Sequence, residues 1–176
     1  GTLGIITKVV FRLIPFPKKD ITLLVPFSSA EKACESVSAV FRSGIIPSAL
    51  EFIERDAIDW ALKYSDIEMK ISDVVKAHLL IEVDGDDINM LYKACEKITE
   101  VMQQFDCGEI LLADSEGHKQ QLWRLRRSIS EAVKSNSVYK EEDTVVPRAE
   151  LAKLLKGVKE IGVRHGFQSV CYGHAG

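Results

Sequence analysis

Short apolar stretches alternate along the chain with longer segments whose apolar residues recur every three or four positions. Ile21 to Phe27 predicts a strand, and Ser28-Ser29-Ala30-Glu31 matches a capping box opening a helix with Ala33, Val37, Val40 and Phe41 on one face. Gly44 ends that helix. Ala49 to Ile53 predicts a short strand and Arg55 to Tyr64 a short helix, followed by a polar loop. The rhythm then returns. Ala77 to Val83 predicts a strand, Asp84-Gly85-Asp86 a turn, and Ile88 to Phe105 a helix in which Leu91, Ala94, Ile98, Val101, Met102 and Phe105 keep helical spacing. A strand at Glu109 to Ala113 closes this second unit.

Two strand-helix-strand units in succession predict an α+β fold of ferredoxin-like type, with an antiparallel sheet and helices packed on one face. A duplicated sheet fits the rhythm, although the halves share too little identity to count as a true repeat. A long helix from about Ser115 to Asn136 follows, rich in Lys119, Arg124, Arg126, Arg127 and Lys134. An extended segment then runs through Val138 to Val146, and Pro147 marks the next boundary. The final helix, Arg148 to His165, aligns Leu151, Leu154, Leu155, Val158 and Ile161, with Gly166 as its cap and a last strand at Gln168 to Tyr172. At the other end, Gly4 to Ile14 has the β-branched, apolar character of a strand, and Pro15-Phe16-Pro17 stops it. Residues 1–17 are therefore expected to form an arm or linker, and residues 18–176 one domain.

Composition narrows the function classes. A chain of 176 residues, 46% hydrophobic and 28% charged, suits one well-filled core. A net charge of -3 argues against nucleic acid, whose phosphates call for a basic excess. Cys34, Cys95, Cys107 and Cys171 are widely spaced without a C-x-x-C pair, so neither a zinc knuckle nor a disulfide framework is signalled. No run of about 18 uncharged apolar residues predicts a membrane span. A cytoplasmic location is the expectation.

Three features could carry chemistry. Gly1-Thr2-Leu3-Gly4 would let backbone approach a ligand, although such a pair of glycines is more often a turn. Arg126 and Ser130, four apart, share a helix face, where a guanidinium beside a hydroxyl could clamp a small carboxylate; the blander alternative is a solvated face. His174, between Gly173 and Ala175-Gly176 at the end of an apolar strand, has room around its imidazole to act as ligand or base, or to serve as a hydrogen-bonded structural residue. His78, His118 and His165 show no metal-ligand spacing.

In order along the chain, five segments resemble one family, the C-terminal part of the FAD-linked oxidases of the glycolate oxidase, D-lactate dehydrogenase and D-2-hydroxyglutarate dehydrogenase type. Gly1-Thr2-Leu3-Gly4-Ile5-Ile6-Thr7 is similar to the motif that closes the flavin domain, and Pro47-Ser48-Ala49-Leu50-Glu51-Phe52-Ile53 to the P-x-A-x-E strand. Trp123-Arg124-Leu125-Arg126-Arg127 resembles W-x-x-R-E, with Arg127 in place of the usual glutamate. Glu142-Asp143-Thr144-Val145-Val146-Pro147-Arg148 resembles D-x-x-V-P-R, and Tyr172-Gly173-His174-Ala175-Gly176 the opening of G-H-A-G-D-G-N-x-H.

The resemblance implies a substrate-side cap domain of a flavin-dependent 2-hydroxyacid dehydrogenase, truncated at its C-terminus, with FAD bound mainly by a domain upstream. It implies flavin contacts from Gly1, Thr2, Gly4, Ile5 and Ile6, and substrate carboxylate contacts from Arg126 and Lys140, with Ser130 supplying a hydroxyl. It makes His174 the catalytic histidine and, in relatives carrying a divalent metal such as zinc or manganese, a metal ligand. The expected partner is a small 2-hydroxy acid, with a homodimer or an electron-transfer partner left open, and the chain alone is expected to be inactive and colourless. The competing expectations are a ferredoxin-like small-ligand-binding or regulatory module without catalysis, and a structural interaction domain using the cationic helix; neither needs the G-H-A-G ending or the W-x-x-R helix.

Overall fold

Local chemistry sets most of the element boundaries. The computed structural model describes residues 3–113 and 115–176. In chain order the elements are β1 (Lys19–Phe27), α1 (Ala30–Arg42), β2 (Ala49–Glu54), α2 (Arg55–Tyr64), β3 (Ala77–Gly85), α3 (Ile88–Gln103) and β4 (Leu111–Leu112). There follow α4 (Glu116–Asn136), a 3-10 turn at Arg148–Glu150, α5 (Leu151–His165) and β5 (Tyr172–His174). Ser29 caps α1 by accepting from the Lys32 N–H at 3.2 Å, one residue later than the Ser28 register of the capping box. Asp87 caps α3 and Ser115 caps α4 through their side chains. Gly166 closes α5 at φ 72°, a left-handed conformation that favours glycine.

One five-stranded sheet, mixed with helices, organises the chain in the order β4-β1-β3-β2-β5, every neighbouring pair antiparallel. Leu23, Val25 and Phe27 of β1 and Leu79 and Ile81 of β3 face a layer built from α1, α3 and α5, through Val37, Ile98, Met102 and Leu155. On the opposite face, Leu24, Leu80 and Ile53 pack against Ala57, Ile58 and Ala61 of α2 and Leu122, Leu125 and Ile129 of α4. The expectation of helices on one face is thereby corrected. Consecutive apolar residues such as Leu23-Leu24-Val25 and Leu79-Leu80-Ile81 make both faces of the central strands apolar, and each face must be covered.

Three terminal or edge strands differ from expectation. Gly4 to Ile14 forms no strand, because its apolar β-branched residues find no ladder partner; Ile5, Val10, Leu13 and Ile14 stand exposed. β4 shrinks from the expected five residues to two. Pro26 explains this: its carbonyl accepts from the Gly108 N–H at 2.9 Å, so the side of β1 facing β4 is the side on which proline has no N–H to offer. The last strand begins at Tyr172 rather than ending there, which sets His174 directly across from Glu51. Among the described residues no helix is long and apolar enough to cross a membrane.

Candidate functional site

Strand alternation places Glu82 of β3 and Glu51 of β2 on the same sheet face as Leu24 and Leu80, beneath α4. An acidic side chain among apolar neighbours is costly unless paired, and α4 supplies the partners. Trp123 and Arg126, three residues apart, occupy one side of that helix. The Trp123 indole N–H donates to Glu82 Oε2 at 2.8 Å, and the Thr22 hydroxyl donates to the same oxygen at 3.1 Å. Arg126 donates from Nε and Nη2 to Glu51 Oε2 at 3.0 and 2.8 Å.

The second oxygen of Glu51 continues the chain of contacts. His174 Nδ1 lies 2.5 Å from Glu51 Oε1, and the Arg126 guanidinium stands 5.2 Å from the centroid of the Tyr172 ring, within cation-π range. Burial is graded across the trio. The side chains of Glu51 and Arg126 are 5% and 14% exposed, whereas that of His174 is 85% exposed. A buried, mutually neutralising ion pair thus holds an imidazole that faces outward. Nε and Nη2 use only part of a five-donor guanidinium, so Arg126 retains donor capacity for a second carboxylate.

The other expected site residues fall in different places. Ser130 lies one turn beyond Arg126 on α4 and is half-buried. Lys140, in the extended segment after α4, is 84% exposed and pairs with Glu142 at 2.6 Å rather than with Arg126 or His174. Gly1 and Thr2 lie outside the described residues. A Cβ at Gly4 would meet nothing within 4 Å, and Ile5 and Ile6 are exposed, so Gly4, Ile5 and Ile6 build no flavin cradle by themselves.

A metal finds no complete site either. Among the described residues no group of three His, Cys, Asp or Glu side chains is placed to hold one, and Nδ1 of His174 is engaged by Glu51, leaving Nε2 as its one outward donor atom. The chemistry expected of a metal therefore has no support in this donor set.

Sequence reasoning singled out Arg126 and His174 but passed over the glutamate that joins them. Its signal was present: Glu51 is an acid inside the apolar run Ala49–Glu54 and sits in the P-x-A-x-E motif. Glu82 has the same character in β3. His78, on the same sheet face, is buried with its Nδ1 unpaired, and desolvation, with the nearby Arg55 charge, pushes its imidazole down to about 4. Its side chain is enclosed by the sheet and the layer above it rather than open to solvent.

The chain is 32% identical over 179 residues to glycolate oxidase subunit GlcD of Bacillus subtilis and 30% identical over 181 residues to D-lactate dehydrogenase of Anaerostipes hadrus. Each alignment covers 100% of this chain but only 37% and 38% of the respective relative, so the chain spans little more than a third of their length. Among solved structures, alkyldihydroxyacetonephosphate synthase shares the fold with a TM-score of 0.56 at 15% identity, over 85% of this chain and 32% of that one. Residues 16–176 match the family described as FAD linked oxidases, C-terminal domain, and the chain belongs to that family.

Proposed function

We propose that this chain is the substrate-side domain of a flavin-dependent 2-hydroxyacid oxidoreductase of the glycolate and D-lactate type. The observation that carries the proposal is the meeting of Arg126 and His174 on Glu51, from a helix and a strand 48 positions apart in sequence numbering. Such an enzyme must hold a carboxylate and remove a proton from a poorly acidic hydroxyl. Arg126 stays cationic throughout and binds the carboxylate; Ser130, one turn along the same helix, adds a hydroxyl; Lys140, paired with Glu142 in this structure, joins them on exchanging that partner for the substrate carboxylate. His174 presents Nε2 to the substrate hydroxyl as the proton acceptor.

A bound flavin supplies the hydride acceptor when a 2-hydroxy acid becomes a 2-oxo acid. Its contacts with Gly1, Thr2, Gly4, Ile5 and Ile6 form part of the same proposal, as does the division into an arm at 1–17 and a cap domain at 18–176. The order β4-β1-β3-β2, with α1 joining β1 to β2 and α3 joining β3 to β4, supports a ferredoxin-like cap to which β5 adds an edge.

The test uses the longer flavoprotein carrying this domain, mixed anaerobically with glycolate, D-lactate, L-lactate and D-2-hydroxyglutarate. At least one 2-hydroxy acid is expected to bleach the flavin, and Arg126→Ala is expected to raise the KM for it by about 10- to 100-fold, the loss of one charged hydrogen-bond partner. The 176-residue chain alone is expected to show neither colour nor turnover. Absence of bleaching by every acid, or an unchanged KM in Arg126→Ala, would sink the proposal.

A further inference from the structure

We propose that Glu51 is a positioning residue: it fixes the tautomer of His174, placing the ring proton on Nδ1 and leaving the Nε2 lone pair facing outward. The inference deepens the function proposed above and rests on it for its catalytic consequence, but its geometric content stands separately.

At neutral pH a carboxylate only accepts hydrogen bonds. Both oxygens of Glu51 are engaged, Oε2 by two Arg126 nitrogens and Oε1 by His174 Nδ1, 2.5 Å away. A neutral imidazole in that contact must donate from Nδ1, which strips Nε2 of its proton and makes it the acceptor. The ion pair gives the arrangement its rigidity. Arg126 comes from α4, Glu51 from β2 and His174 from β5, and the β2–β5 ladder sets Glu51 opposite His174. Tyr172, two residues before His174 on the same strand, lies against the Arg126 guanidinium, so strand and helix hold the carboxylate from both sides. An outward, largely exposed imidazole would otherwise choose its tautomer from solvent. The buried carboxylate removes that choice.

Glu51→Gln separates orientation from charge. Its amide oxygen must turn toward the Arg126 donors, because an amide nitrogen there would place donor against donor. The amide NH2 then faces His174 Nδ1 and donates to it, which forces the ring proton onto Nε2. Arg126 keeps an acceptor, whereas His174 loses its outward lone pair.

Two measurements test this. In the 176-residue chain carrying 15N-labelled histidine, long-range proton–nitrogen correlations at pH 8 should show His174 protonated on Nδ1 and bare on Nε2. Glu51→Gln should reverse that assignment. In the longer flavoprotein, Glu51→Gln should lower kcat about 10- to 100-fold, as loss of an orienting partner does, with the KM for the 2-hydroxy acid within about threefold of wild type. A wild-type His174 protonated on Nε2, or on both nitrogens at pH 8, overturns the proposal, and so does a variant with raised KM and unchanged kcat. Should Glu51→Gln fail to fold, the wild-type tautomer decides alone. Should no 2-hydroxy acid reduce the wild-type flavin, the functional proposal falls while the tautomer still decides this one.

Discussion

Trp123 and Arg126 stand three residues apart on α4 and reach two different glutamates of one sheet face, Glu82 on β3 and Glu51 on β2. The W-x-x-R spacing is therefore a docking device as well as a carrier of the guanidinium: one side chain anchors the helix to β3 and the other to β2, and the helix cannot rotate without breaking both contacts.

Removing the first anchor should be measurable without touching the second. Trp123→Phe keeps an aromatic ring packed against the core between the sheet and helices α2 and α4, but among the described residues leaves Glu82 with the Thr22 hydroxyl as its side-chain donor. The expected cost is about 1–3 kcal/mol, read as a lower urea midpoint with an unchanged slope. A midpoint within error of wild type would show that the indole contact contributes nothing.

Helices on both sheet faces imply two cores that are equally indispensable. Ile98 of α3 and Ile129 of α4 are both fully buried, on opposite faces of the sheet. Either Ile→Ala change should cost about 2–5 kcal/mol by transfer and cavity formation. Calorimetric unfolding of both variants checks this, and a tolerant Ile129→Ala would mean that α4 is peripheral.

Two glycines of α5 should respond in opposite directions to alanine. Gly157 has nothing within 4 Å of a built Cβ and sits in the helix interior, so Gly157→Ala should stabilise by about 0.5–1 kcal/mol. At Gly162 a Cβ would stand 2.8 Å from the Phe167 carbonyl oxygen, a backbone atom that cannot swing aside, and Gly162→Ala should destabilise by about 1–3 kcal/mol. Thermal melts of the two variants should shift in opposite directions.

His78 predicts an acid sensitivity. In the folded chain its imidazole stays neutral down to about pH 4, whereas in the unfolded chain it takes up a proton near the ordinary value of about 6.5. Between those values the unfolded state binds the extra proton. Its stabilising contribution is thus complete above about pH 6.5 and is lost as pH falls toward 4, by up to about 1.4 kcal/mol per pH unit. Urea midpoints at pH 7, 6 and 5 should fall less steeply for His78→Leu than for wild type, and parallel slopes would refute the assignment.

How much of this was legible beforehand depended on the range of the interaction. Helix α1 with its Ser29 cap, and α4 after Ser115, follow from hydroxyls and apolar spacing within a few residues, and they appear where the sequence puts them, within a residue or so. Gly4 to Ile14 misled because β-propensity describes a strand that has a neighbour, and among the described residues none pairs with it. Arg126 and His174 could be singled out from W-x-x-R and G-H-A-G, and Glu51 was visible in P-x-A-x-E, but nothing near any of the three in sequence shows that they meet.

Local chemistry along the chain determined the succession of strands and helices, the caps that bound them and the family to which the motifs point. The tertiary structure alone decided which face each helix covers, the β4-β1-β3-β2-β5 order, and the joining of Arg126 and His174 through a glutamate 75 and 123 residues away from them. Periodicity and capping are short-range and can be read one turn at a time, whereas the partner of a buried charge is chosen by the packing of distant segments, when removing it from water makes pairing obligatory.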